Sequence, residues 1–486
     1  MLKLLFLLTL IGSALTQFCP TDPITKNQPV DNLPYGAKNL TAVPQGTNCT
    51  FMFTIPDNYS LKLSLNVQGD SKSDAVTIYD NQGQSLYGVK ISAEPIFNIP
   101  LWMPARAASV RVEAGSANMK FMLSYMYQSL ADYKKVTKRT GEYFPLNDIA
   151  ANTYVTITAS SANDKVIVSP ATREGAKDNS LNSFYVYDGD NINTANVMGR
   201  LSDMTDMRMS SGQSVSIVNL DGLISHSYAL GNDASSLSGY SKYKAYITTL
   251  GSSIRGNISD LSDAKDGAGY TWLCIDCSTF YLTSMKFDTY FAASANTGYF
   301  ALQGQTPTQK LDKLIRYDVQ TVTDSYFPQA LPTNVFTISL KLSTAMIQMN
   351  TGNDDSAWRK PYDGRKGYII APNLWGKLDN SFNYEFRDDS KLYNFTVNVN
   401  KMTFAATSDK MTVKIGSGTG TPAVNQVFSQ DQSSNKLVSS KGNYMQTTLS
   451  AAVGADVRLF FEMWTVNSSS AIGVLTTVLV AVYQFF

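Results

Sequence analysis

The stretch FMFTIPDNYSLKLSLNV (Phe51–Val67) alternates apolar and polar residues on both sides of a Pro-Asp-Asn turn. Successive side chains of a strand point to opposite faces, so this pattern is typical of two half-buried strands joined by a turn. The same alternation recurs nearby, in DAVTIYD (Asp74–Asp80), ASVRVEAG (Ala108–Gly115) and KFMLSYMY (Lys120–Tyr127). Short alternating strands at this spacing predict an antiparallel β-sandwich.

A second set of such segments follows the first. It consists of NTYVTITA (Asn152–Ala159), DKVIVSP (Asp164–Pro170), SFYVYDGDN (Ser183–Asn191) and SVSIVNLDG (Ser214–Gly222). At roughly 100–200 residues per domain, the 486 residues are enough for three or four units. We therefore predict an all-β fold of tandem antiparallel β-sandwich units of the jelly-roll type, with units at 17–128, 129–250, 251–384 and 385–466. The charged segment 129–141 is predicted to be a short helix or a linker.

Two loose internal repeats favour related units over one large domain. Glu142–Gly189 resembles Ser325–Pro372, and in each the first residue is followed by Tyr-Phe-Pro. SDAVTIYDN (Ser73–Asn81) with KFMLSYMY resembles SDKMTVKIGSG (Ser408–Gly418) with RLFFEMW (Arg458–Trp464).

Both ends of the chain are hydrophobic. One lysine followed by LLFLLTLIG and then small residues predicts a secretory signal peptide at 1–16. At the other end, serines precede AIGVLTTVLVAVYQFF with no Lys or Arg after it, which favours a removable tail of a glycosylphosphatidylinositol (GPI) signal at 467–486. Candidate attachment residues are Asn467, Ser468 and Ser469, and the alternatives are a buried C-terminal strand or a short membrane helix. The expected location is the extracellular side of the plasma membrane, GPI-anchored, or secreted.

Composition excludes one class of partner. With 40 Lys+Arg against 39 Asp+Glu the formal charge is +1, so no basic field is available for nucleic acid. The 27 Tyr and 23 Phe are typical of folded strands and not of a disordered stalk.

Four cysteines fall in two pairs, Cys19 with Cys49 and Cys274 with Cys277. In an oxidising compartment both pairs are expected to be disulfides. A redox Cys-x-x-Cys is the less favoured alternative for the second pair, because its flanks are predicted strands, and a metal site would need more Cys or His. Six Asn-x-Ser/Thr sequons predict N-glycosylation at Asn39, Asn48, Asn58, Asn257, Asn394 and Asn467.

The Cys19 and Cys49 pair, FMFTIPDNYSLKLSL, DAVTIYD and SFYVYDGDN resemble, in that order, the CUB-like domain family of secreted nematode proteins. The resemblance implies CUB-related sandwiches in an ectodomain that recognises protein or glycan, with many members associated with gut-surface defence against pathogens. CUB domains that bind calcium use three acidic residues. Asp74 matches the second of them and Asp221 resembles the third, but no unit has all three, so we expect no bound calcium.

Catalytic residues are hard to find in this sequence. His226 is the single histidine, and no G-x-S-x-G turn presents a serine to it. The GSGTG run (Gly416–Gly420) fits a hairpin turn better than a phosphate loop. The pairs Asp354/Asp355 and Asp388/Asp389 could serve a glycan hydrolase, but adjacent acids usually lie in solvated loops.

The charged loop Asp354–Tyr368 is either a solvated hairpin excursion in which Trp358 covers an edge, or a binding loop. We therefore expect a non-enzymatic surface glycoprotein without a cofactor, which recognises an extracellular protein or glycan. The alternatives are a structural glycoprotein of a surface coat and, less favoured, a secreted glycan hydrolase.

Overall fold

The computed structural model describes residues 18–466 except 81, 82, 84, 90, 105, 288–297, 310, 311, 433 and 434. The signal peptide at 1–16 and the tail with Asn467, Ser468 and Ser469 lie outside these residues. The described chain is built almost entirely of β-strands, which confirms the all-β fold class. Within this part of the chain, no helix reaches the length and apolarity that a bilayer span requires.

The first unit is a two-sheet sandwich. Its strands are β1 (Val30–Leu33), β2 (Thr41–Ala42), β3 (Asn48–Thr54), β4 (Tyr59–Gln68), β5 (Asp74–Tyr79), β6 (Ser85–Val89), β7 (Ile96–Met103), β8 (Ala107–Ala114) and β9 (Lys120–Ser129). One sheet has the order β1-β9-β4-β7 and the other β3-β8-β5-β6. Alternate residues of β3 and β8 are buried between the sheets, as the sequence pattern predicted. The Cys19–Cys49 disulfide is confirmed and attaches the N-terminal segment to β3.

The second and third units follow directly. The strands of the second are β10 (Lys134–Arg139), β11 (Tyr143–Pro145), β12 (Thr153–Thr158), β13 (Val166–Thr172), β14 (Phe184–Asp188), β15 (Asn196–Arg200), β16 (Ser214–Asn219), β17 (Tyr228–Asp233) and β18 (Tyr240–Thr248). Those of the third are β19 (Ser253–Asp260), β20 (Gly267–Cys274), β21 (Phe280–Phe287), β22 (Tyr299–Gly304), β23 (Lys313–Asp318), β24 (Gln329–Leu331), β25 (Val335–Lys341) and β26 (Ser343–Thr351).

The fourth unit completes the described chain. Its strands are β27 (Arg365–Ile370), β28 (Ser381–Arg387), β29 (Tyr393–Thr403), β30 (Lys410–Gly416), β31 (Val424–Phe428), β32 (Lys436–Gly442), β33 (Tyr444–Ser450) and β34 (Asp456–Thr465). Short helical turns lie between strands, at Leu146–Asp148, Asn179–Ser183, Leu201–Asp203, Ala234–Leu237, Asp324–Tyr326, Ser356–Arg359 and Pro372–Trp375.

All four units share one topology. Once β2, β10 and β18 are left out, the first, third and fourth units each have eight main strands, which we label a to h in chain order. The second unit has seven, which we label a to e, g and h. The first, third and fourth units then each have one sheet in the order a-h-c-f and a second in the order b-g-d-e. The second unit has a-h-c and b-g-d-e, and a single bridge from Met209 to Ile167 of strand c stands where f would pair. The described chain therefore contains four β units of closely similar strand order.

Only one of the two sequence repeats corresponds to a repeat in the structure. The match of SDAVTIYDN and KFMLSYMY with the C-terminal segments is also a structural one. It aligns β5 with β30, which are the d strands of the first and fourth units, and β9 with β34, which are their h strands. The other match is wrong as a structural repeat. Its second copy starts in the third unit and ends just after β27 of the fourth, so the match aligns strands that occupy different positions in their units.

Two predicted boundaries need correction. Segment 129–141 is neither a helix nor an unpaired linker, because β10 pairs in parallel with β12 as an exposed edge strand. Its lysines suit an edge that must not pair with another chain. The boundary between residues 384 and 385 falls inside β28, so the fourth unit begins earlier, with β27. Most of the charged segment Asp354–Tyr368 lies in the connection between the third and fourth units, and its last four residues belong to β27. Trp358 is buried at 1% exposure.

In each unit, one aspartate holds the connection between strands g and h. Asp74 accepts hydrogen bonds from the Ser116 amide at 2.8 Å and the Ser116 hydroxyl at 2.7 Å. In the fourth unit, the amides of Ala405, Ala406 and Ala452 each donate to Asp409 at 2.9 Å. Asp178 and Asp260 have the same role in the second and third units.

Replacing Asp409 with asparagine should destabilise the fourth unit in a pH-dependent way. Burial alone would raise the pKa of Asp409, but the three amide donors outweigh it and the pKa is lowered. Its stabilisation is therefore present above the ordinary aspartate pKa of about 3.9 and is lost as pH falls through the lower folded-state value. We expect D409N to lose about 1–3 kcal/mol at pH 7, and less below about pH 4. Chemical unfolding across pH measures this, with the exposed Asp22→Asn as control.

Candidate binding cleft between the second and third units

An eight-stranded sheet joins the second unit to the third. Its order is β11-β17-β13-β18-β20-β25-β22-β23, and β18 pairs in parallel with β13 on one side and β20 on the other. Since β17 is antiparallel to both β11 and β13, the strands β11, β13, β18 and β20 all run in the same direction. Their carboxyl ends therefore meet at one edge of the sheet, which is where open sheets with parallel strands often bind ligands.

A cleft of about 190 Å³ opens at this edge. The strand ends supply Pro145, Arg173, Thr248, Thr249 and Ile275, and the loop before β17 supplies Ser225, His226 and Ser227. Asn147, Tyr228 and Ile247 complete the lining. The volume is below the range of about 300–1,000 Å³ found for pockets that enclose drug-sized ligands, so the cleft suits one side chain or one sugar ring of a larger ligand.

Asp178 fixes the loop that carries His226. Its carboxylate accepts hydrogen bonds from the Ser225 hydroxyl at 3.0 Å and the Ser227 hydroxyl at 2.5 Å. Burial would raise the pKa of Asp178, but hydrogen bonds from Ser180, Ser227 and Ser225 outweigh it and lower the pKa, so the carboxylate is ionised at neutral pH. Asn147 adds a second tie, because its side-chain oxygen accepts from the Ser225 amide at 2.8 Å.

The second disulfide shapes the opposite wall. The structure joins Cys274, the last residue of β20, to Cys277. Within this short ring the Ile275 amide donates to the Thr248 carbonyl at 3.0 Å. The Asp276 carboxylate accepts from the Leu250 amide at 2.6 Å. These bonds hold Ile275 at the cleft beside the end of β18.

The cleft combines the cationic Arg173 with polar and apolar groups. Arg173 and His226 are both exposed. Next to the lining residues in the chain stand four exposed apolar side chains, Leu223 at 51%, Ile224 at 74%, Leu250 at 47% and Ile275 at 45% exposure. Burial raises the pKa of Tyr228, with smaller contributions from Asp148, Tyr143 and Asp276, so its phenol is a neutral hydrogen-bonding group. Such a mixture can hold a polar ligand that also has apolar faces, such as a sugar or a peptide.

The arrangement differs from a catalytic triad. In a triad the carboxylate contacts the imidazole, which in turn contacts the nucleophilic hydroxyl. Here the carboxylate of Asp178 contacts two serine hydroxyls directly, and His226 lies between those serines in the chain with its side chain exposed. The hydroxyls of Ser225 and Ser227 therefore contact a carboxylate where a triad would have an imidazole, and this geometry supports binding by the loop.

The residues considered for calcium lie in separate places. Asp74 binds Ser116 and the Asp70 amide in the first unit. Asp221 of the second unit accepts a hydrogen bond from the indole of Trp102 in β7, so it joins the first two units. The carbonyl of Trp102 also accepts from the Tyr185 hydroxyl at 3.2 Å. Among the residues that the structure describes, no group of three His, Cys, Asp or Glu side chains is placed to hold a metal.

The carboxylate pairs have structural partners. Asp354 accepts from the Ser356 amide at 2.9 Å, and Asp355 forms an ion pair with Arg359. Asp388 accepts from the Ser390 amide at 3.0 Å and from the Tyr393 hydroxyl at 2.9 Å. Asp389 lies 3.1 Å from Arg387. The GSGTG run lies in the β30–β31 hairpin turn, as predicted.

The sequons within the described residues are at the surface. Asn39, Asn48, Asn58 and Asn257 are exposed, and Asn394 is half-buried. Asn467 lies outside these residues. None of the five described sequons lines the cleft, so glycans at these positions would not occupy it directly.

Sequence reasoning found His226 and Cys274 but not the cleft. Arg173 and Thr249 are polar residues just beyond the ends of alternating segments, and nothing local distinguishes them. Asp178 was detectable in principle. It precedes SFYVYD by a few residues, as Asp74 begins DAVTIYD and Asp409 precedes the corresponding fourth-unit strand.

Comparison with known proteins adds a family match for the first unit. Residues 15–131 match the family model of the CUB-like domain. The CUB1-EGF-CUB2 domain of human MASP-1/3 is similar at 13% identity, covering 42% of this chain and 100% of that chain with a TM-score of 0.18.

Two further solved structures are similar to this chain. They are the CUB1-EGF-CUB2 domains of rat MASP-1, at 11% identity over 43% of this chain and 99% of that one with a TM-score of 0.19, and the extracellular region of zebrafish Gpr126/Adgrg6, at 8% identity over 93% and 53% with a TM-score of 0.19. No curated protein matches.

Proposed function

We propose that this chain is a non-enzymatic extracellular glycoprotein that binds a protein or glycan ligand in the cleft between its second and third units. The CUB-like match of residues 15–131 supports an extracellular ligand-binding module. The observation that carries the proposal is the convergence of four strand ends on a cleft with exposed Arg173 and His226. The guanidinium of Arg173 and the neighbouring apolar side chains favour a ligand with an acidic or hydroxyl-rich group on an apolar frame.

The proposal includes a location and a role. The tail at 467–486 would be exchanged for a GPI anchor at Asn467, Ser468 or Ser469, which would place the four units on the outer face of an epithelial membrane. The role is recognition of microbial or host surfaces in the innate immune response. Support for this part comes from the composition of the two chain ends and from the resemblance to the CUB-like family. Release of the protein from intact cells by a phosphatidylinositol-specific phospholipase tests the anchor, and retention after treatment contradicts it.

Reversing the charge at the cleft should weaken ligand binding. The full chain, produced in a secretory cell line, is screened against a glycan array and fixed microbial cells. We expect saturable binding that falls at least about tenfold in R173E, which corresponds to about 1.4 kcal/mol. The matched control is R255E, since Arg255 is also exposed and lies on β19 but is not one of the residues that line the cleft.

The same screen separates the rival functions. Equal binding by R173E and R255E would move the ligand site away from the cleft. Uniformly negative binding with high surface abundance would favour the structural coat glycoprotein. Turnover of an array glycan that one Asp-to-Asn change abolishes would instead favour a hydrolase.

A further inference from the structure

Trp464 and Asn394 lie opposite each other on two adjacent strands of the fourth unit. Trp464 is the next-to-last residue of β34, and its register partner in β29 is Asn394. Their chain neighbours Met463 and Phe395 are fully buried in the sandwich core. Because alternate residues of a strand point to opposite faces, Trp464 and Asn394 share the outer face of this sheet. Directly opposed residues have Cβ atoms about 4.5–5.5 Å apart.

The indole of Trp464 lies against the sheet and is open on its outer side. A Cβ placed on Gly364 would stand 3.3 Å from ring atom Cζ3 and 3.6 Å from Cη2, so the ring passes over this glycine. Lys366, which forms an ion pair with Glu462 at 3.1 Å, has its ammonium 5.9 Å from the ring centroid. Trp464 is nevertheless 44% exposed. The other four tryptophans are buried at 4% exposure or less, namely Trp102, Trp272, Trp358 and Trp375.

Asn394 carries the modification signal. It begins the sequon Asn394-Phe395-Thr396, and its side chain is half-exposed. In the secretory pathway the Asn394 amide nitrogen would bond to C1 of an oligosaccharide donated by a polyisoprenyl pyrophosphate. The lipid pyrophosphate leaves, and the amide loses one proton. The first sugar would then emerge on the same face as the exposed indole. Because the ring leans over Gly364, on the β27 side of β34, the sugar would reach its open face by extending across β34.

We propose that Asn394 carries an N-glycan whose first N-acetylglucosamine packs its C–H face on the indole of Trp464. The sugar C–H groups are weakly positive and the indole face is negative, so the contact is favourable as well as apolar. The inference rests on the proposed function, because it requires a secreted, glycosylated chain. Trp464 is thus an intramolecular sugar platform that keeps the outer face of the last sandwich from exposing an apolar surface.

Tryptophan fluorescence offers a selective test, since Trp464 is the one tryptophan that is open to solvent. The full chain from a secretory cell line is titrated with acrylamide. N394Q and T396A each abolish the sequon, the first at the acceptor asparagine and the second at the threonine. We expect each variant to raise acrylamide quenching of the accessible tryptophan about twofold, because the ring is uncovered. The control is N257Q. Asn257 also begins a sequon within a strand, but its register partner is Met346 and not a tryptophan. This variant should leave quenching unchanged.

A second readout does not depend on removing the sequon. Release of the Asn394 glycan by a glycoamidase under native conditions should be several-fold faster in W464A than in the parent, with release at Asn257 unchanged. Equal quenching and equal release rates would overturn the inference, as would an empty Asn394 beside an occupied Asn257. If no sequon is occupied in protein made in secretory cells, the proposed extracellular glycoprotein is itself wrong.

Discussion

Replacing Arg365 with alanine is expected to lower the free energy of unfolding by about 3–5 kcal/mol. The side chain is 0% exposed and fills one end of the fourth sandwich core. Its guanidinium donates to the carbonyl of Trp358 and, at 3.3 Å, to that of Pro328. Alanine would leave a cavity and two carbonyls without these donors. Chemical unfolding of the full chain measures the loss.

The charge of Arg365 contributes less to the stability of the fourth unit than the volume of its side chain does. The guanidinium lies 5.3 Å from the ring centroid of Tyr362 and 5.7 Å from those of Phe386 and Phe461. Its Nε and Nη1 have no hydrogen-bond partner in the described structure, and burial lowers its pKa to about 10. A buried cation held mainly by aromatic faces retains much of its desolvation penalty.

Methionine at this position separates the two contributions. R365M keeps most of the volume without a charge, so it should be at least about 2 kcal/mol more stable than R365A. Equal and large losses in both variants would contradict this account. They would mean that the cation itself is required, for example by an anion that binds there.

Strand alternation predicted much of each sandwich, because one face of a strand must be buried. The segments around Phe51, Leu63, Ile78, Val110 and Leu123 are all strands with alternately buried residues. The pattern missed β7, where Pro100 and Asn98 interrupt the alternation. Proline is tolerated there because β7 is an edge strand, which a local pattern does not reveal.

The cleft could not be predicted in the same way. It depends on β18 pairing in parallel with both β13 and β20, and neither pairing leaves a local sequence signal. The interacting segments are far apart in the chain, so the meeting of Arg173, Thr249 and Ile275 follows from topology alone. Ser225 and Ser227 needed the same knowledge, since their role depends on Asp178. Sequence reasoning therefore found the units but not the site that joins two of them.

Gly267 offers the sharpest test of that joined sheet, because β20 begins there between β18 and β25. Its φ is +73°, which costs a residue with a side chain about 1–2 kcal/mol. A Cβ on Gly267 would also stand 2.0 Å from the Leu340 carbonyl oxygen and 2.8 Å from the Lys341 Cα. Both atoms belong to the backbone of β25, so the clash is relieved only by separating the two strands. We expect G267A to lose at least about 3 kcal/mol.

Gly251 is the matched control for Gly267, since its φ is +75° and a Cβ there meets nothing within 4 Å. G251A should lose only the conformational contribution of about 1–2 kcal/mol. Secreted yield and chemical unfolding of both variants measure the difference. If the two alanine variants are equally stable, the close approach of β20 to β25 is wrong, and so is the sheet that brings the four strand ends to the cleft. We expect a large loss of unfolding free energy in G267A alone, with R173E as stable as the parent. That result would show that Gly267 supports the fold of the cleft, whereas Arg173 acts only in binding.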